Sequence, residues 1–126
     1  MCAKIKQIKQ YDYILDCDKD EVNPSIFKLT DLNPNKAADV YDILFEDGTF
    51  SLSFRALVKA AELGLIGWEN VLDEDDKQVD FKIHTIKLLP INMLTEIGLE
   101  ILKSTFPEFA EVFKAEEDGE TPDPLA

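Results

Sequence analysis

The segment from Gly64 to Pro90 constrains the fold more than any other part of the chain. It begins with glycines that follow an apolar helical pattern, and glycine commonly occurs where a helix ends. Trp68, the only tryptophan, then leads into a short apolar strand at residues 70–72. An acidic turn and a second strand at residues 79–81 follow, and a helix begins at the proline. The segment therefore predicts a small β-hairpin between helices.

Two amphipathic helices are predicted before this segment. Asn33 is placed as an N-cap in front of a proline at the first helical position, and apolar residues recur at helical spacing over residues 34–46. Ser51 or Ser53 caps the next helix, whose apolar stripe starts at Phe54. Because the link is short, we expect the two helices to pack as an antiparallel hairpin that forms the first core.

Strands and a further helix complete the expected domain. Residues 11–15 alternate as an extended segment, and residues 25–32 alternate as a strand with Phe27 and Leu29 on its buried face. The helix that starts at Pro90 contains Gly98, which permits close contact with another helix at a small cost in stability. The expected fold is a mainly helical α+β domain over residues 1–114, with a partly irregular segment at residues 1–24.

The end of the chain carries an aromatic pattern and then an acidic one. Residues 105–108, Thr-Phe-Pro-Glu, have the spacing of a capping box, which predicts a short helix with Phe106, Phe109 and Phe113 on one face. These rings either dock on the body as core or form an exposed aromatic anchor for a partner. Residues 115–126 contain five acidic and no basic residues, so a disordered acidic tail is expected.

The formal net charge of −13 excludes several classes of partner. A surface that binds nucleic acid needs clustered lysine and arginine, and an anionic membrane repels an acidic protein. The charge serves solubility alone, or it offers an acidic surface to a basic partner, including mimicry of DNA. Cys2 and Cys17 have no disulfide or metal spacing and are expected to be free thiols in a reducing cytoplasm. The sequence shows no signal peptide and no apolar run long enough to span a bilayer.

No pattern in the sequence indicates an enzyme, a cofactor or a metal site. The Asp16–Asp20 segment opens like a calcium loop, but the sixth and twelfth positions hold Glu21 and Phe27 in place of glycine and a bidentate glutamate. His84, the only histidine, has no nucleophile or carboxylate at a useful spacing, and a surface or helix-entry position is expected for it. We therefore expect no catalytic residue.

The same central segment carries a resemblance to a known family. Trp68-Glu69-Asn70-Val71, the acidic turn, Val79-x-Phe81 and Leu88-Leu89-Pro90 resemble the C-terminal half of small tailed-phage tail assembly chaperones. The resemblance spans residues 26–105, with Phe27-Lys28-Leu29 as a weaker upstream match. Where the family's turn reads Asp-Gly, this chain has Asp75-Asp76, which makes a tight turn with positive φ at its second residue less favourable.

The resemblance implies a protein that binds the tape measure protein, or the tail tube protein, and keeps it soluble in the host cytoplasm during tail assembly. Self-association is a further option. Physical reasoning places the client contact on Phe106, Phe109 and Phe113, and then on Trp68, for which a core position is the alternative. Two other functions stay open. One is a virion subunit, such as a connector or tail-completion protein, and the other is an acidic DNA mimic that inhibits a host defence protein.

Overall fold

The structure, a computed structural model, describes residues 8–109. In chain order the described elements are β1 (Gln10–Ile14), β2 (Ile26–Thr30), α1 (Pro34–Leu44), α2 (Phe54–Gly64), β3 (Leu65–Glu69) and α3 (Ile91–Thr105). Short 3-10 helices cover Asp16–Asp18, Ile83–Leu88 and Pro107–Phe109. The predicted mixed α+β, mainly helical fold is confirmed. Phe113 and the acidic tail lie outside the described residues.

The three strands form one antiparallel sheet with β2 in the centre. Phe27 and Leu29 of β2 are buried, as their alternation predicts. The third strand differs from the prediction, because it starts in the residue after α2 and contains Trp68, which pairs with Phe27. Trp68 therefore belongs to the sheet, whereas the sequence places it ahead of the strand.

Local capping chemistry sets the starts of α1 and α2 where the sequence indicates them. The Asn33 side chain accepts a hydrogen bond from the backbone N–H of Lys36 at 3.0 Å. Of the two candidate serines, Ser53 is the cap of α2, and its Oγ accepts from the Ala56 N–H at 3.2 Å. Each cap satisfies a backbone donor that has no partner inside the helix.

The main helix partner of α2 is α3, and its contact with α1 is smaller. The sequence-based expectation that α1 and α2 form the first core is therefore corrected. The buried face of α2 consists of small residues and one leucine, and Phe54 is 71% exposed, so the stripe predicted to begin there is wrong at its first residue. The reason is the close approach of α3, which Gly98 permits and which selects the alanine face of α2.

Two tyrosines fasten the edge strand β1 to α3. The Tyr13 hydroxyl donates to Glu96 Oε2 at 2.6 Å, and the Asp16 N–H donates to the same oxygen at 3.0 Å. The Tyr11 hydroxyl donates to the Glu100 carbonyl oxygen at 3.2 Å. Desolvation by burial raises the pKa of Tyr11 to about 12. The pKa of Tyr13 is also raised, first by burial and then by the hydrogen bond to Glu96.

Candidate functional site

The predicted phenylalanines that the structure describes pack inside an aromatic cluster. Phe106 is only 8% exposed, and Phe109 is half-buried with its ring centroid 6.1 Å from that of Phe45 on the α1 side. The cluster consists of Tyr41, Phe45, Phe50, Phe106 and Phe109. Pro107–Phe109 form a 3-10 turn, but the predicted capping box does not form, because Thr105 is the last residue of α3 and its hydroxyl accepts from the Leu32 N–H at 3.1 Å. The cluster joins the end of α3 to α1.

Trp68 holds the following hairpin against the sheet. Its indole N–H donates to the Val79 carbonyl oxygen at 2.7 Å. Its ring meets the ring of Phe27 edge-on at 6.2 Å and lies 5.1 Å from that of Phe81. The side chain is 9% exposed, which gives Trp68 a core position.

The predicted strands at residues 70–72 and 79–81 do not form, and residues 70–81 make a hairpin turn joined by a single isolated β-bridge. Leu72 and Gln78 form an isolated β-bridge, and the Val79 N–H donates to the Val71 carbonyl oxygen at 2.8 Å. The turn closes with Asp76 at a φ of 59°, which is the positive φ that the missing glycine makes less favourable. Asp73 Oδ1 compensates by accepting from the backbone N–H groups of Asp75 and Lys77.

An apolar groove lies between this hairpin, the sheet and the entry to α3. Its volume is about 370 Å³. The apolar part of its lining consists of Leu15, Phe27, Trp68, Val71, Leu72, Val79, Leu88, Leu89, Pro90 and Met93. We call this depression the apolar groove.

Two leucines of the apolar groove face solvent. Leu72, on the hairpin, is 51% exposed, and Leu88, at the end of the 3-10 helix Ile83–Leu88, is 74% exposed. Its neighbours differ, because Ile86 and Leu89 turn into the core at 1% and 9% exposure and Leu88 stays outside.

Three acidic residues also line the apolar groove. Asp18, Asp73 and Glu74 line it, and no lysine or arginine of the described residues does. Two hydroxyl residues, Ser25 and Thr85, complete the polar part of its lining. Ser25 Oγ donates to the Asn70 carbonyl oxygen at 2.7 Å, which ties the start of β2 to the start of the hairpin.

Of the predicted partner-contact residues that lie within residues 8–109, Trp68 alone lines the apolar groove. The aromatic cluster with Phe106 and Phe109 does not line it. Sequence reasoning missed Leu72 and Leu88 as candidate contact residues. The available signal was the Leu88-Leu89-Pro90 run, in which consecutive leucines before a helix cannot both point into one core.

The described residues contain no group of three or more His, Cys, Asp or Glu side chains arranged to hold a metal ion. In the calcium-like segment, Lys19 Nζ pairs with Asp16 Oδ1 at 2.7 Å. His84 is exposed on the 3-10 helix, where the sequence analysis expects it. None of the helices within residues 8–109 has the length and apolar character that crossing a membrane requires.

Comparison with protein-family models, curated proteins and solved structures found no match.

Proposed function

We propose that this protein is a non-enzymatic tail assembly chaperone, which binds an apolar segment of a tape measure protein in the host cytoplasm. The observation that carries the proposal is the apolar groove with Leu72 and Leu88 half or more exposed at its walls. Exposed leucines beside an open apolar depression are typical of a surface that another protein covers. The resemblance of the central segment to tail assembly chaperones supplies the class of client.

The energetics suit a holding function. Full burial of a leucine contributes about 1.5–3 kcal/mol, and these two side chains are already partly buried, so covering them adds about 1–2 kcal/mol each. A contact of this size is reversible, which a chaperone needs if its client is to be released into the growing tail. The net charge of −13 favours solubility of the complex, because complexes of like charge repel each other.

Co-expression with a tape measure protein as the client tests the proposal. The wild-type chain is compared with a groove variant, Leu72→Ser/Leu88→Ser, and with a control variant, Phe54→Ser/Ile66→Ser. The control pair is matched, because Phe54 and Ile66 are 71% and 46% exposed and lie outside the groove. We expect the client to be soluble and to co-purify with the wild type and with the control variant. With the groove variant we expect the client to be insoluble.

Other outcomes separate the function from the site. Client that stays soluble with all three chains contradicts the groove as the contact and retains the chaperone. Client that stays insoluble even with the wild-type chain contradicts the chaperone. A virion subunit would then be sought by looking for the chain in purified particles.

A further inference from the structure

We infer that the segment bound in the apolar groove is basic, with an apolar side chain that enters the groove and lysine or arginine residues beside it. The inference deepens the proposed function and rests on it for the use of the groove as a binding site. It adds the chemistry of the partner, which the apolar lining alone leaves open.

The charge of the groove carries this inference. Asp18, Asp73 and Glu74 line the same depression as the exposed leucines, and none of the lining side chains in the described part of the chain is cationic. We call these three carboxylate residues the rim of the groove. A segment with only apolar and acidic residues would place like charges against the rim, which costs free energy. A segment with lysine or arginine beside its apolar anchor pairs with the rim as the anchor enters.

The rim carboxylates form no ion pair with another residue of the described part of the chain. The salt bridges of residues 8–109 join Lys19 to Asp16, Lys28 to Glu69, Arg55 to Glu46 and Lys103 to Glu100. Asp73 uses one carboxylate oxygen, Oδ1, for its two backbone hydrogen bonds, both within the turn. The negative charge of all three groups is therefore available to an external cation.

The same charge argues against one occupant from the chain itself. Residues 115–126 carry five acidic residues and no basic residue, so they match the sign of the rim. Like-charge repulsion disfavours their insertion into the groove.

A pair of synthetic peptides tests the inference on the purified full-length chain. Both are amphipathic peptides of about 14 residues with leucine at helical spacing, and the other positions are lysine in one and glutamate in the second. Neither contains tryptophan, so the emission of Trp68, the only tryptophan of the chain and a lining residue of the groove, reports binding at the site. Anisotropy of a fluorescein label on each peptide gives the Kd.

Charge variants locate the effect. Asp18→Asn/Glu74→Gln removes two rim charges and leaves Asp73 to hold its turn. Asp39→Asn/Asp42→Asn removes two charges from exposed positions of α1, so the net charge changes equally in both variants. We expect the lysine peptide to bind and shift the Trp68 emission, and the rim variant to weaken binding by about 3- to 10-fold, as expected for two exposed ion pairs. The α1 variant should change the Kd less than about 2-fold, and raising the ionic strength should weaken binding.

Equal affinity for the lysine and glutamate peptides overturns the inference. An equal loss of affinity for the lysine peptide in the rim and α1 variants also overturns it. Binding without a change in Trp68 emission also overturns it, because the peptide is then elsewhere. If the chain alone forms a dimer that Leu88→Ser dissociates, the occupant is a second copy, which overturns it as well. None of these outcomes alters whether the client becomes soluble in the co-expression experiment, so the two failures are distinguishable.

Discussion

Gly98 of α3 lies directly against the backbone of Leu57 in α2. A Cβ atom on Gly98 would overlap the Leu57 carbonyl oxygen and would stand 2.7 Å from its carbonyl carbon. Helices approach this closely only where one of them has no side chain at the contact. The pair therefore sets the distance between the two helices that share most of the helical core.

Gly98→Ala should lower the free energy of unfolding by about 2 kcal/mol. The added methyl group forces the helices apart, which outweighs the roughly 1 kcal/mol that alanine gains in helix propensity. Urea unfolding followed by circular dichroism measures the change. Gly67→Ala is the matched control, since its Cβ would meet only the flexible Lys28 side chain, at 3.4 Å. A Gly98→Ala variant as stable as the wild type would contradict the close contact.

Substitution of the two adjacent leucines at the groove should change the free energy of unfolding by very different amounts. Leu88→Ser should change the free energy of unfolding by less than about 0.5 kcal/mol, because Leu88 is 74% exposed. Leu89→Ala should cost about 2–4 kcal/mol, because Leu89 is 9% exposed and its removal leaves a cavity. Thermal unfolding of the two variants compares them directly. A large loss at Leu88 would mean that its side chain belongs to the core and is not available to a partner.

Stability should fall in alkaline solution through the tyrosines of β1. In the unfolded chain tyrosine ionises near pH 10, and the folded chain holds the proton more tightly, since burial raises the pKa of Tyr11 to about 12 and raises that of Tyr13. The stabilisation of the folded state that comes from this difference in pKa is complete below about pH 10. It is lost as the pH rises towards about 12 and above. Urea unfolding at several pH values from about 8 to about 12 would show the decline.

Tyr13→Phe should reduce that decline and should also cost about 1 kcal/mol at neutral pH, where the hydrogen bond to Glu96 is lost. Tyr41→Phe is the control for loss of a hydroxyl from a more exposed ring, 42% exposed. An unchanged pH profile in the Tyr13 variant would show that its hydroxyl does not contribute to the alkaline loss.

Phe106→Ala should destabilise the chain in the absence of any partner, by about 3–4 kcal/mol. The ring is 8% exposed and contacts Tyr41 and Phe109 at centroid distances of 6.3 and 6.1 Å, so truncation opens a cavity at the end of α3. Differential scanning calorimetry of the isolated protein measures the loss. A variant with unchanged stability that fails to hold the client would instead favour Phe106 as a contact residue.

The local features of the fold follow from the sequence. The cap residues Asn33 and Ser53, the helix end at Gly64 and the alternation in β2 each depend on a few neighbouring residues. Hydrogen bonds between a side chain and the next turn form within such a window, so the residue types narrow the cap of α1 to Asn33 and that of α2 to one of two serines. The overall class, mainly helical with antiparallel strands, follows from the same windows.

Only the tertiary structure decided the pairing of β2 with β3, the choice of α3 as the partner of α2 and the existence of the apolar groove. Phe27 and Trp68 pair across a long stretch of chain, and the groove takes side chains from the N-terminal turn, the hairpin and the entry to α3. Periodicity shows that a side chain is apolar and on a given face, but it does not show which other face it meets. That choice depends on shape, such as the gap at Gly98, and on the packing of distant segments against one another.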